Sequence, residues 1–185
     1  MQFDKEELKE KFSRFVGSHP IAGSEKHGPT AAIVNLFKNK DIILTPEAET
    51  DSSKLEMTVR FWEDLGGIIK TMDPLEHDQI FSTVSHIPHL IAYNMVNLIA
   101  QKNNTDTLLE FAASGFKDFS RIAGSSPEVW KDISLANKTA ILNDLDLFIK
   151  EINKTSNLIK NNDYVALEKY FDVASKIRKN WIKKN

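Results

Sequence analysis

The feature that most constrains this chain is a change of hydrophobic period near Pro74. Upstream, short apolar runs of strand length flank a helical segment. Downstream, the apolar residues repeat at helical spacing. Asp41-Ile42-Ile43-Leu44-Thr45 is a compact β-branched run stopped by Pro46, and Ile68 to Met72 is a second run that follows Gly66-Gly67. Phe15-Val16 opens a further extended stretch. Over 51–65, Leu55, Val59, Trp62 and Leu65 recur at helical spacing, and Gly66 is placed to end that helix. Strand, helix, strand at this spacing predicts part of an α/β sheet.

The segment 74–103 is predicted as one long helix with two faces. Ile80, Val84, Ile87, Ile91, Met95 and Leu98 form an apolar stripe, and Asp78, Ser82, Ser85 and His89 lie opposite. Pro88 falls within it, deletes a backbone hydrogen bond and is expected to kink it. Ser125-Ser126-Pro127-Glu128 is a capping pattern that starts a short helix with Trp130. Two helices, 138–160 and 164–183, are joined by Asn161-Asn162-Asp163 as an antiparallel hairpin. The chain is therefore expected to be mainly α, with a small α/β part over 1–73 and a helical part over 74–185.

Composition excludes several functions. With 24 basic and 26 acidic residues among 185, the chain is not a general binder of nucleic acid or membrane surfaces. With no cysteine there is no disulfide, thiolate metal site or thiol nucleophile. The charged start is not a signal peptide, and no apolar run is long enough to span a bilayer, so a soluble, cytoplasmic protein is expected.

Three segments carry candidate chemistry. In "VGSHPIAGSEKHG", His19 is a group that can exchange a proton near neutral pH, at a strand end where α/β folds bind ligands. Gly23 permits close backbone approach, and Ser24 and Glu25 add a hydroxyl and a carboxylate. "HDQIFSTVSHIPH" admits three uses. His77, Asp78, His86 and His89 have metal-ligand chemistry but no converging spacing. Ser85 and His89 also fit a polar stripe that faces a ligand, or a buried polar network between helices. In "SGFKDFSRIAGSSPEVW", Arg121 offers a fork for a carboxylate, and Asp118, one helical turn earlier, can orient it. An ordinary surface ion pair accounts for that spacing equally well.

In order and approximate spacing, these three segments resemble the successive signature segments of the prephenate/arogenate dehydrogenases, from about Phe15 onward. The resemblance implies oxidation of prephenate or arogenate by NAD or NADP. Hydride leaves the ring carbon that bears the 4-hydroxyl and the ring carboxyl departs as CO2, in the route to tyrosine. It implies that His19 is the catalytic base and that Arg121, with Asp118 nearby, holds a substrate carboxylate. Ser24, Glu25, Ser85, His89, Gly115 and Trp130 would complete the substrate pocket, with Ser24 and Glu25 where substrate and nicotinamide meet. No metal is implied. The helical part would be a homodimerisation domain, and inhibition by tyrosine at the active site stays open.

One feature departs from the family. A dinucleotide fingerprint has the form strand, G-x-G-x-x-G, helix, and no three of the seven glycines have that spacing. The expectation is a family member without most of its Rossmann-type nucleotide-binding domain, of which 1–73 is a remnant with an exposed strand edge. Such a chain is expected to be inactive alone. A non-enzymatic helical dimer that kept the pocket is the alternative, and a metal-dependent hydrolase is a third reading.

Overall fold

The computed structural model describes residues 8–23, 30 and 32–183. A 3-10 turn, Lys9–Arg14, leads into strand β1, Gly17–Pro20; β2 is Asp41–Thr45, α1 Ser52–Asp64 and β3 Ile68–Thr71. The sheet order is β1-β2-β3. β1 runs antiparallel to β2, with His19 opposite Ile43, and β3 runs parallel to β2, with Ile69 opposite Ile42. A parallel neighbour needs a crossover, and α1 supplies it. Ile42, Ile43 and Leu44 are all buried, which is why this central strand reads as an unbroken apolar run rather than an alternation. Asp51 caps α1, its carboxylate accepting from the Ser53 and Lys54 N–H groups at 2.7 and 3.3 Å. Gly66 ends the turn after α1 with φ of 82°, a conformation that favours glycine.

Beyond Asp73 the described chain is helical. Helix α2 spans Pro74–Phe81, capped by Asp73 with proline in its first turn. The kink expected at Pro88 takes the form of a π turn over Ser82–His86, closed by the Ile87 N–H on the Ser82 carbonyl, before α3, Ile87–Ala100. Proline has no N–H and its ring crowds the carbonyl four residues back, so the widened turn just upstream relieves the clash. The widening shifts the helical register. His77, Ser82, Ile87 and Ala92 are the buried positions, whereas Ile80, Val84, Met95 and Leu98 of the expected apolar stripe remain exposed.

Short helices α4, Thr105–Glu110, and α5, Ser114–Ser120, precede a 3-10 turn, Arg121–Gly124, and then α6, Pro127–Ala136, whose cap is Ser126. Helix α3 packs against α5 and the Arg121–Gly124 turn. The Tyr93 hydroxyl donates to the Ser125 carbonyl at 2.7 Å, which pins the end of that turn to α3.

The chain divides into two compact units, residues 1–141 and 142–185. The first contains everything described so far and the start of α7, Lys138–Lys160; the second contains the rest of α7 and α8, Tyr164–Ile182. Asn162 reverses the chain between them with φ of 52°, a left-handed conformation that asparagine tolerates. Within this hairpin the Tyr170 hydroxyl reaches back to Glu151 Oε2 at 2.8 Å. Its apolar residues Ile152, Ile159, Phe171 and Ile177 are all exposed.

Candidate functional site

His19 sits within β1 and is held by pairing with β2. Its ring meets α2: Nδ1 lies 2.9 Å from His77 Nε2. His77 in turn donates from Nδ1 to Asp78 Oδ1 at 2.9 Å, because an ionised carboxylate can only accept. The Phe81 ring packs 4.6 Å from both imidazoles, centroid to centroid. Burial, reinforced by His77, pushes the His19 pKa down to about 4, so its ring is neutral at neutral pH.

His19, His77 and Asp78 line a cavity of about 680 Å³ in the first unit. His89 donates from Nδ1 to the Ser85 carbonyl at 2.8 Å, and its ring stacks on Trp130 at 3.8 Å and 20°. Burial lowers the His89 pKa, the bond to Ser85 opposes this, and the Arg121 charge lowers it further. His86 is also pushed down to about 4, mainly by burial, with Asp78 opposing and the neighbouring histidines adding to the fall. Asn137, the buried residue between α6 and α7, donates from Nδ2 to the Asp78 carbonyl at 2.7 Å and lies 3.2 Å from His86 Nδ1.

Of the residues singled out in the sequence, His19, Gly23, His77, Asp78, Ser85, His86, His89, Arg121 and Trp130 line this one cavity. Gly115 and Asp118 do not line it. A Cβ at Gly115 would meet no atom within 4 Å, so packing within the described residues does not account for a glycine there. Asp118 and Arg121 do not form an ion pair with each other. Arg121 keeps helical backbone angles, φ −50° and ψ −43°, so the two residues remain one turn apart without bonding to each other. Ser24 and Glu25 lie outside the described residues. Among the described residues no group of three or more His, Asp or Glu side chains could hold a metal ion. Helical spacing puts Asp78 on the stripe with Ser85 and His89, but it does not bring His77 or Asn137 to the cavity. The Asp73-Pro74 start of α2, one turn before His77, was the available signal.

The arrangement suits a small planar anion. A neutral imidazole can take a proton, a guanidinium can hold a carboxylate, and the His89–Trp130 stack offers a flat wall.

A family model described as "Prephenate dehydrogenase, dimerization domain" matches residues 73–173, more than half of the chain. A second, "Prephenate dehydrogenase, nucleotide-binding domain", matches residues 5–71. The chain belongs to the prephenate dehydrogenase family. Among prephenate dehydrogenase relatives, it is 40% identical over 166 residues to the prephenate dehydrogenase of Bacillus subtilis, covering 89% of this chain and 45% of that protein. It is 36% identical over 165 residues to the cyclohexadienyl dehydrogenase of Zymomonas mobilis, covering 88% of this chain and 56% of that protein. The crystal structure of prephenate dehydrogenase from A. aeolicus with hydroxyphenyl propionate and NAD+ superposes with a TM-score of 0.86 at 37% identity, covering 94% of this chain and 61% of that one. The chain thus spans about half the length of the curated relatives it matches. The prephenate dehydrogenase family is NAD(P)-dependent, and the short α/β part and the helical part described above match its nucleotide-binding and dimerisation models respectively.

Proposed function

We propose that this chain is the substrate-binding part of a dehydrogenase that oxidatively decarboxylates prephenate or arogenate on the way to tyrosine, in a cytoplasmic homodimer. The observation that carries the reading is a neutral imidazole and a guanidinium, His19 and Arg121, on one cavity beside a stacked aromatic wall. His19 accepts the proton of the substrate 4-hydroxyl as hydride departs from the carbon that bears it. Arg121 holds a carboxylate of the substrate, and Ser85, His89 and Trp130 orient the ring. Ser24, Glu25, Gly115 and Asp118 complete the pocket by family resemblance. The exposed apolar residues of α3, α7 and α8 support burial against a second copy of the chain.

NAD or NADP supplies the hydride acceptor in this family. Its pyrophosphate does not fit the described strand-to-helix turn. The stretch 46–51 between β2 and α1 contains no glycine and carries Glu47, Glu49 and Asp51, which repel phosphate at the helix start. This chain's part is accordingly binding, orientation and proton transfer, and by itself it does not reduce NAD+ with prephenate. The same missing glycine spacing favours a second reading, a non-enzymatic dimer that retains the ligand pocket.

The test is a thermal-stability titration with prephenate, arogenate, 4-hydroxyphenylpyruvate and tyrosine. A ligand at about a hundred times its Kd stabilises the fold by about 2.7 kcal/mol. A shift with at least one of the four is expected, and the identity of the best ligand separates prephenate from arogenate and reports on tyrosine as an inhibitor. No shift with any of them contradicts the proposal. NAD+ reduction by the chain alone contradicts the expected inactivity and removes the non-enzymatic reading.

A further inference from the structure

The proposed role of His19 leaves one question that geometry can answer: which ring nitrogen takes the proton. Three contacts bear on it. The side chains of His77 and Asp78 are only 7% and 14% exposed, and Asp78 Oδ1 lies 2.9 Å from His77 Nδ1. A carboxylate accepts and cannot donate, so the proton of a neutral His77 is on Nδ1 and its Nε2 is bare. That bare nitrogen lies 2.9 Å from His19 Nδ1. Two lone pairs do not face each other at hydrogen-bond distance, so the proton of a neutral His19 is on Nδ1. Phe81, packed 4.6 Å from each ring, keeps both from turning over.

We propose that His77, anchored by Asp78, is a positioning residue that holds His19 as its Nδ1–H tautomer and leaves Nε2 as the proton acceptor on the cavity. The logic is that of a catalytic triad, in which a buried carboxylate sets the tautomer of the base it orients. Here a second imidazole is interposed between carboxylate and base. In the opposite tautomer His19 presents an N–H to the cavity and cannot accept a proton from a hydroxyl. The tautomer assignment stands independently of the proposed function; what the acceptor acts on rests on that reading.

The experiment is long-range proton–nitrogen NMR of the labelled chain at about pH 8, where free imidazole is neutral, paired with titration of hydroxyphenyl propionate. The unaltered protein is expected to show Nδ1–H at both His77 and His19. His77→Leu removes the acceptor, and His19 moves toward the Nε2–H form that free histidine favours in water. Affinity for hydroxyphenyl propionate falls roughly five- to tenfold, the value of one lost hydrogen bond. His77→Gln, whose amide oxygen can accept from His19, restores both readouts. A role confined to packing would leave the His19 tautomer unmoved by His77→Leu, and that result overturns the proposal. So does Nε2–H at His19, or a doubly protonated His77, in the unaltered protein. If His77→Leu does not fold, the unaltered protein and His77→Gln still decide, since both must show Nδ1–H at His19. The expected tautomers without any binding of hydroxyphenyl propionate would support the positioning role and overturn the proposed function instead.

Discussion

Asn137→Ala tests how far the polar layer beneath the cavity supports the fold. Asn137 is 8% exposed, and its Nδ2 serves two acceptors, the Asp78 carbonyl at 2.7 Å and His86 Nδ1 at 3.2 Å. The losses are unequal. The Asp78 carbonyl also accepts from the Ser82 N–H, so it keeps a partner and loses only a net hydrogen bond, about 1 kcal/mol. His86 lines the cavity and can take up water there, so its loss is of the same size rather than that of a fully stranded group. The sum is about 2 kcal/mol. Urea unfolding followed by far-UV circular dichroism at fixed protein concentration is the assay, and the midpoint is expected to fall by about 1 M with an unchanged slope. Pairing Asn137→Ala with His86→Leu in a double-mutant cycle isolates the shared bond, with an expected coupling of about 1 kcal/mol. A loss below about 0.5 kcal/mol, or a coupling indistinguishable from zero, refutes the view that this asparagine ties α2, the π turn and α6 together.

Acid lability follows from the histidines. Burial pushes His19 and His86 down to about 4 from the ordinary histidine value of about 6.5, so the unfolded chain binds more protons between those limits. Stability is fully present above about pH 6.5 and is lost as pH falls toward 4, and a melting temperature that stays flat across that window contradicts the burial of the two rings. Trp130→Ala removes the ring stacked on His89 and is expected to weaken hydroxyphenyl propionate binding at least about tenfold, since aromatic pairs contribute about 0.5–1.5 kcal/mol beyond the area they bury; unchanged affinity in calorimetry would remove the aromatic wall from the site. Tyr93→Phe frees the Ser125 carbonyl from α3 and should cost about 1 kcal/mol in urea unfolding, whereas an unchanged midpoint would show that the Arg121 turn is held by other contacts.

Some elements were legible in the sequence because one physical rule governs each. The unbroken apolar run in β2 announces a strand covered on both faces, and the capped α1 and α8 and the periodic α7 announce helices. Arg121 and Trp130 could be joined to His19 through motifs, although no spacing rule places a strand residue near a turn more than a hundred positions later. The π turn escaped because a hydrophobic stripe is read at a constant 3.6 residues per turn. One widened turn ahead of Pro88 is enough to leave Val84 exposed and bury Ser82. His77 was set aside for the same reason: its place beside His19 depends on how α2 packs on β1, a tertiary fact. Asp118 and Arg121 keep helical spacing across the end of α5 yet do not bond to each other, so spacing alone does not make a pair. Helices α4 and α5 are only six and seven residues long, too short to show a helical period clearly.

The central claim is that one cavity holds a hydroxyphenyl carboxylate with its anionic end on Arg121. Calorimetric titration of the unaltered chain and of Arg121→Ala, each with hydroxyphenyl propionate and with 4-ethylphenol, its carboxylate-free analogue, tests this directly. The unaltered chain is expected to prefer the carboxylate by about 10- to 100-fold, the range for a charged hydrogen bond, and Arg121→Ala is expected to bind both equally. A preference for the carboxylate that survives the loss of Arg121 would contradict the account.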